Sequence, residues 1–380
     1  MLARPEGLTD SEREWLAVRA HLQEHRYRLS FVAAERYPEI LKIADTPLLS
    51  TRAWLPSTGI EMQSVELGWT PAADRPGLFP PDALTEHLRP LRADGTRYPS
   101  YSAVVGALAA PKLFENRTTY RLRSADLVGP PRMNFEPGRY FDHLDVGDAC
   151  AHELAAVEMG LRSETPLRDW IGNPCDPSRR PTNVAVSCLT IRHDSATGER
   201  TFPLHWRDPA KVGHAGGMTM VIPVGIFQAA ADGWQHQEHD LAFLRLLIRE
   251  YAEELLGQAE KSPGEHLLDY DAWPFARAMS KALADGRISS TVLGIGVDAL
   301  TFATDILAVI SFDSEAFDGL FSGSGTENAE GTLQCENSGV GPAGYLLSGD
   351  VVDDLLARSP FQAAGAALMR LAAASPCTCP

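Results

Sequence analysis

Residues 240–257, DLAFLRLLIREYAEELLG, combine a helix pattern with a dense cluster of acidic side chains. Asp240 can cap the start of such a helix, and Gly257 can adopt the left-handed conformation that often ends one. The apolar residues recur at three- and four-residue spacing, which is typical of a helix with one buried face: Leu244, Leu247, Ile248, Tyr251 and Leu255. The sequence therefore predicts an amphipathic helix over residues 240–257.

Three glutamates of this helix fall within an arc of roughly 100°, since each residue turns the helix by about 100°. They are Glu250, Glu253 and Glu254, and Arg245 and Arg249 are expected on the other side of the apolar stripe. Carboxylates this close repel one another unless water screens them, a basic group pairs with them or a cation binds them. Hard divalent ions such as Mg²⁺ or Mn²⁺ prefer oxygen ligands of this kind. A solvated acidic helix end is the alternative, and spacing alone leaves both interpretations open.

The run REYAEELLG resembles the signature helix of the Nudix hydrolases, in which Arg-Glu-aliphatic-any-Glu-Glu precedes a glycine. Arg249, Glu250, Glu253 and Glu254 match it position by position, with Tyr251 at the aliphatic position. In that family the glutamates bind the metals that activate water and clamp a diphosphate. The resemblance therefore implies catalytic and metal-binding roles for Glu250, Glu253 and Glu254, and for Arg249 a role in orienting them.

The upstream half of that signature differs in this chain. The family pattern has a glutamate eight residues before the arginine and a glycine six residues before that glutamate. Leu241 and Gln235 occupy these two positions, while Gly233 and Glu238 lie nearby in another register. Hydrolysis and ligand binding without turnover are both compatible with this half-matching signature.

Patterns along the rest of the chain predict an α+β fold, with a Nudix-like mixed β-sheet flanked by helices. A capping box of Thr9 and Glu12 begins an N-terminal helix, and residues 45–92 are proline-rich and irregular. We expect an N-terminal helical and irregular extension over residues 1–130, packed on a Nudix-like core with C-terminal helices over residues 131–380. The β-prone runs are at 118–122, 184–191, 201–206, 218–227, 289–298 and 306–312, and the helical patterns are at 273–284 and 351–374.

A wider resemblance extends along the chain through LFENRTTYRL, LHWRDPAKV, VIPVGIFQ and GIGVDALT. With the acidic helix, these segments resemble the Nudix-like C-terminal region of actinobacterial helix-turn-helix regulator-type proteins. Those relatives carry a DNA-binding helix-turn-helix ahead of this region, whereas no second helix with a basic face follows the Thr9 helix. DNA binding is not implied, and a net charge of −16 also argues against a broad nucleic-acid-binding surface.

The sequence lacks any run of 18 apolar residues and any N-terminal signal pattern, so we expect a cytoplasmic protein without a membrane partner. A homodimer is compatible with the sequence. At the C-terminus, Cys377 and Cys379 could bind a soft metal or form a redox pair, and a frayed tail is the alternative.

Several other residues are candidates for polar roles. Arg207 is a candidate phosphate clamp, because a guanidinium can grip phosphate with two hydrogen bonds; an ion-paired surface arginine is the alternative. His152 and Glu153 are expected in a mostly buried helix rather than in a metal site, and His236 and His239 in solvent. The candidates for an additional acidic ligand or general base are Asp298, Asp313, Glu315, Asp318, Glu327 and Glu330.

The resemblance thus implies a Nudix-type hydrolase that uses Mg²⁺ or Mn²⁺ and acts on a nucleoside diphosphate derivative or a related diphosphate. A phosphorylated small molecule is the expected partner. Two alternatives stay open at this point. One is a non-catalytic Nudix-like sensor of a nucleotide or metabolite, and the other is a tailoring enzyme of specialised metabolism on the same fold.

Overall fold

The structure, a computed structural model, describes residues 7–70, 78–112, 114–208, 216–261, 263–264, 266–322, 331–334 and 344–374. Its helices are α1 (Asp10–Glu35), α2 (Tyr101–Leu108), α3 (Tyr140–His143), α4 (Ala149–Glu158), α5 (Pro166–Ile171), α6 (Trp234–His239), α7 (Phe243–Glu254), α8 (Pro274–Ala284), α9 (Ser314–Phe321), α10 (Gly349–Arg358) and α11 (Ala363–Ala374). One π-helical turn, Leu144–Asp148, joins α3 to α4.

The strands are β1 (Leu41–Lys42), β2 (Leu48–Ser50), β3 (Ile60–Glu61), β4 (Glu66–Trp69), β5 (Thr118–Asp126), β6 (Arg132–Arg139), β7 (Val184–Asp194), β8 (Glu199–Phe202), β9 (Leu204–Arg207), β10 (Thr219–Met220), β11 (Val224–Ile226), β12 (Ile288–Asp298), β13 (Thr304–Asp313), β14 (Gly331–Gln334) and β15 (Tyr345–Leu346). The chain therefore has the predicted α+β fold, a curled mixed sheet flanked by helices.

The main sheet has the strand order β1-β2-β12-β13-β7-β8-β15, with β3 also beside β12 and β11 also beside β7. Strands β12 and β13 form an antiparallel hairpin, β13 runs parallel to β7, and β11 is antiparallel to β7. Two three-stranded sheets, β10-β9-β14 and β4-β6-β5, accompany it.

The two faces of the main sheet pack against different helices, because successive side chains of a strand point to opposite sides. On β7, Val186 and Cys188 belong to the larger core, which also contains the buried residues of α7, α8 and α9. Leu189 and Ile191 belong to a second core with residues of α10 and α11. The acidic helix α7 and the C-terminal helices thus cover opposite faces.

The N-terminal part is built into this architecture. The predicted capping box is confirmed: the Glu12 N–H donates to Thr9 Oγ1 (3.1 Å), and the Thr9 N–H donates to Glu12 Oε2 (2.8 Å). Helix α1 packs along α4, and β2 and β3 pair with β12. Residues before 130 therefore supply strands to the main sheet, and a boundary at residue 130 stays a prediction.

Two predicted strands are broken by proline, which lacks the N–H that a ladder needs. Pro203 separates β8 from β9, and these strands join different sheets. The run 218–227 forms β10 and β11, with Pro223 just before the second strand. The other predicted strands, and the helices over 273–284 and 351–374, form close to their predicted positions. Among the described residues, no helix is long and apolar enough to span a membrane.

Candidate functional site

Helix α7 carries the acidic motif and begins later than predicted. Its first residue is Phe243, with Ala242 in the N-cap position, so the prediction that Asp240 caps it is wrong. The predicted apolar face is confirmed, because Leu247, Ile248 and Tyr251 are buried. The predicted left-handed residue after the helix is confirmed too, since Gly257 has φ 63°.

Asp240 instead forms a buried cluster with Arg249. Its Oδ2 lies 3.3 Å from Arg249 Nη1 and accepts the Ala230 N–H (2.8 Å). Tyr270 donates its hydroxyl proton to Asp240 Oδ1 (3.0 Å) and accepts from Arg249 Nη1 (2.6 Å), while Arg249 Nη2 donates to the Gln228 carbonyl. We call Asp240, Arg249 and Tyr270 the Arg249 cluster. It ties the loop before α7 to the helix.

Arg249 is buried within this cluster, since only 5% of the residue is exposed. Burial by itself lowers the pKa of an arginine, but Tyr270 and Asp240 together raise the pKa of Arg249 above its ordinary value. The guanidinium consequently stays charged inside the fold and compensates the buried Asp240 carboxylate.

The three glutamates of α7 do not share one patch of surface. Glu250 and Glu253 line a cleft beside the helix, whereas Glu254 is buried and absent from the lining. The Val224 N–H donates to Glu254 Oε1 (3.1 Å), which fastens β11 to α7. Helical spacing alone does not reveal this difference, because the position of β11 decides which side of the helix is covered.

Glu250 lies directly against the backbone of β11. A Cβ atom added at Gly225 would lie 2.3 Å from Glu250 Oε1, a separation that no carbon–oxygen contact tolerates. Glycine at position 225 leaves the space that the Glu250 carboxylate occupies.

The cleft has a volume of about 370 Å³, within the range of small-molecule sites. It lies at the start of β7 and the end of β11, with α7 on one side and α1, α3 and β9 on others. Arg207, the predicted phosphate clamp, lines the same cleft as Glu250 and Glu253. Its further polar lining includes Arg19, Tyr140, His143, Asp148, Asn183, Arg249, Asp305 and Gln362.

The end of the cleft at α1 and α3 is built on a buried ion pair. Arg19 Nη1 lies 2.5 Å from Asp148 Oδ2, and both side chains are buried. Tyr140 lies within electrostatic range of this pair: burial and Asp148 raise the pKa of Tyr140, while Arg19 and Arg207 oppose the shift. Arg207, at the end of β9, therefore reaches toward this end of the cleft.

His143 faces the cleft from the same end. Burial lowers its pKa to about 4, so the imidazole is neutral at pH 7 and offers one donor and one acceptor. The π-helical turn that follows packs tightly, since a Cβ at Gly147 would lie 2.1 Å from the Thr301 carbonyl oxygen. The sequence did not predict this end of the cleft, because α1 and α3 are distant in the chain from α7.

Asp305 is the other group that sequence reasoning missed. It lies on β13, is 2% exposed, and accepts one hydrogen bond, from Ser187 Oγ to Oδ1 (2.8 Å). No described Arg, Lys or His forms an ion pair with it. Burial raises the pKa of Asp305 to about 7. Its signal in the sequence is a single charged residue inside the mostly apolar strand run 304–312.

Of the three glutamates on α7, Glu250 and Glu253 are the ones that line the cleft and could bind a divalent metal there. Among the described residues, no group of three or more His, Cys, Asp or Glu side chains is arranged to hold a metal ion. Mg²⁺ commonly takes only one or two carboxylates, and waters and substrate phosphates complete its shell. The two glutamates therefore fit a metal that enters with a phosphorylated ligand, and not a preformed cage of protein ligands.

The remaining polar candidates have structural partners. Glu153 accepts the N–H groups of Leu167 (3.0 Å) and Arg168 (3.1 Å), and His152 stacks on Trp15, which confirms their prediction as part of a buried helix. The expectation that His236 and His239 are solvated is wrong. His236 is buried, and His239 Nε2 lies 2.9 Å from the Leu268 carbonyl oxygen.

The carboxylates proposed as additional ligands lie elsewhere. Asp313 pairs with Arg287 (2.8 Å), Asp318 pairs with Arg192 (2.8 Å), and Asp298 accepts hydrogen bonds within its own turn. None of these three aspartates lines the cleft, and Glu315 does not line it either. Glu327, Glu330, Cys377 and Cys379 lie outside the described residues.

No protein-family model matches this chain, and a search of curated proteins found no relative. The resemblance to the Nudix hydrolases therefore depends on the residues of α7 and on the other sequence segments that suggested it.

Proposed function

We propose that this protein is a divalent-metal-dependent hydrolase of a nucleoside diphosphate derivative or a related diphosphate, of the Nudix type. The observation that carries the proposal is the shared cleft: Glu250, Glu253 and Arg207 all line it. The cleft contains two hard oxygen donors and one cationic side chain, and its volume suits a small molecule.

In this proposal Glu250 and Glu253 hold Mg²⁺ or Mn²⁺ against the diphosphate. The bound ion supplies charge neutralisation and lowers the pKa of water. Arg207 pairs with phosphate oxygens, for which the planar guanidinium is suited. Glu254 and the Arg249 cluster act as positioning groups, because their contacts hold α7 against β11 and against the preceding loop.

The test is hydrolysis of a panel of nucleoside diphosphate derivatives in the presence of Mg²⁺ or Mn²⁺. The amount of product released over time is measured. Glu250→Gln and Glu253→Gln should each lower kcat/KM by roughly 100-fold or more while unfolding remains close to that of the parent. Glu238→Gln is the matched control, because Glu238 is an exposed glutamate on the neighbouring helix α6. Equal activity of all four proteins would exclude the assigned role of the glutamates.

The second candidate is a regulatory protein that binds a nucleotide-like ligand without turnover. The burial of Glu254 favours it, since only two of the three signature glutamates remain available in the cleft. This candidate predicts thermal stabilisation by a ligand whose concentration stays constant during prolonged incubation with metal. Product formation that disappears in Glu253→Gln would exclude it.

A further inference from the structure

Three residues that line the cleft carry acceptor oxygens that lack a full set of donors among the described residues. Asn183 is 7% exposed, and its Nδ2 donates to the Arg139 carbonyl (2.6 Å). That bond fixes the orientation of the amide, since an oxygen could not donate there. Asn183 Oδ1 is buried and accepts no hydrogen bond from the described residues.

Gln362 repeats this arrangement just before α11. Its backbone is held in place, because the Gln362 N–H donates to the Thr219 carbonyl (3.0 Å). Its Oε1 is buried and also accepts no hydrogen bond from the described residues. Buried acceptors without donors are rare in folded proteins, because they have lost water without a replacement.

Asp305 is the third and most deeply buried of these groups. The hydroxyl of Ser187 occupies Oδ1 alone, and the described residues provide no donor to Oδ2. Asp305 pairs in the sheet with Ala185, which also lines the cleft and whose small side chain leaves room beside the carboxylate. The raised pKa of Asp305 agrees with a carboxylate that lacks a basic partner.

These acceptor groups lie apart from the glutamates of α7. Asp305 lies one residue from Ile306, which belongs to the core under α7, so its side chain points to the opposite face of the sheet. Asp298 on β12 acts on Asp305 electrostatically, and Arg19, a cation of the same cleft, is already paired with Asp148. A ligand that reaches Asp305 therefore extends beyond the glutamates of α7.

We propose that Asp305, Asn183 and Gln362 form a subsite for a ligand group that carries O–H or N–H donors, such as a hydroxylated or amino-bearing ring. This inference rests on the proposed function, in which the same ligand places its diphosphate near Glu250 and Glu253. Acceptor oxygens select donor groups, since a ligand without donors leaves them unpaired. We call these three residues the acceptor subsite.

The experiment compares ligands that share one diphosphate and differ in the attached group. UDP, UDP-glucose and UDP-glucosamine are titrated calorimetrically at pH 8 in EDTA, which prevents metal-dependent turnover, and ADP and ADP-ribose repeat the comparison with another base. In at least one series, the ring-bearing ligand should bind the parent protein at least about 10-fold tighter than the plain diphosphate. Asp305→Asn should remove about 10-fold of that advantage and change the affinity for the plain diphosphate by less than about 2-fold.

The amino sugar identifies the kind of donor. A larger loss for UDP-glucosamine than for UDP-glucose in Asp305→Asn identifies an ammonium group, and equal losses identify hydroxyl groups. Asp285→Asn is the control, because Asp285 is an exposed carboxylate that pairs with Lys281 outside the cleft. It should leave every affinity unchanged.

The two proposals fail in different ways. Equal affinities for plain and ring-bearing diphosphates in both series, or equal weakening of both by Asp305→Asn, would overturn the acceptor subsite and leave the proposed function standing. If neither diphosphates nor their derivatives bind in EDTA or with Mg²⁺, the proposed function is overturned and the acceptor subsite falls with it.

Discussion

Asp240 Oδ2 lies 3.3 Å from Arg249 Nη1, and both residues are buried between α7 and the loop that precedes it. The sequence pattern placed an apolar residue, Leu241, where a glutamate was expected. The fold nevertheless brings a carboxylate to Arg249 from the neighbouring position. Arg249 is therefore paired with a carboxylate although Leu241 occupies the position at which the resemblance implied a glutamate, and Glu254, the third glutamate of α7, is buried.

The Arg249 cluster should contribute strongly to stability. Asp240→Asn leaves the Arg249 guanidinium buried without its carboxylate, so we expect the free energy of unfolding to fall by about 3 kcal/mol. Urea unfolding of the two proteins measures this difference. Asp10→Asn, which removes the exposed partner of Arg13, should cost less than about 1 kcal/mol. Comparable effects of the two substitutions would contradict the structural role of Asp240.

Glu254 and Glu253 should respond differently to substitution. Glu254→Ala removes the acceptor of the Val224 N–H and should lower the free energy of unfolding by about 1–3 kcal/mol. Glu253→Ala should cost less than Glu254→Ala, because Glu253 lines the cleft and is less deeply buried. Thermal and urea unfolding measure both values. A larger loss in the Glu253 variant would show that the two glutamates are assigned the wrong way round.

A side chain at position 225 should destabilise the protein. Gly225→Ala places a Cβ against the Glu250 carboxylate, so Glu250 or β11 must move, at a cost of about 1–3 kcal/mol. Gly319→Ala is the control: this exposed glycine of α9 has open space around it, and alanine there should stabilise the helix by up to about 1 kcal/mol. Unfolding experiments that gave both changes the same sign would contradict the close packing of Glu250 on β11.

The raised pKa of Asp305 should make the free energy of unfolding depend on pH. Its folded-state pKa of about 7 lies above the ordinary 3.8, so folding favours the protonated form. The stabilisation is complete below about pH 4 and is lost as the pH rises through 7. Relative to Asp305→Asn, the parent should therefore lose on the order of 4 kcal/mol between pH 4 and pH 8. A constant difference between the two proteins over this range would show that Asp305 titrates normally.

The sequence predicted those features that depend on local patterns. The buried face of α7 follows from residue spacing, the C-terminal helical region follows from the pattern over 351–374, and β12 and β13 follow from β-prone runs. The α+β class follows from their combination. The runs 201–206 and 218–227 were each predicted as one strand, and local patterns do not specify the sheet to which each fragment belongs.

The cleft could be predicted only in part, because it depends on contacts between distant segments. Helical spacing grouped Glu254 with Glu250 and Glu253, and only the position of Val224 shows that Glu254 is used for packing. Asp305 reaches the cleft through the parallel pairing of β13 with β7, which no local pattern specifies. Arg19 lies more than 200 residues before α7 and lines the same cleft.

The most direct measurement is the Mg²⁺ dependence of diphosphate hydrolysis by the parent protein, Glu253→Gln and Glu238→Gln, recorded as kcat/KM across a metal titration. The proposed function predicts that the parent and Glu238→Gln require Mg²⁺ and respond alike. It also predicts that Glu253→Gln loses roughly 100-fold or more in kcat/KM while its unfolding is unchanged. Hydrolysis that proceeds equally in all three proteins, or that none of them performs with any diphosphate of the panel, would contradict it.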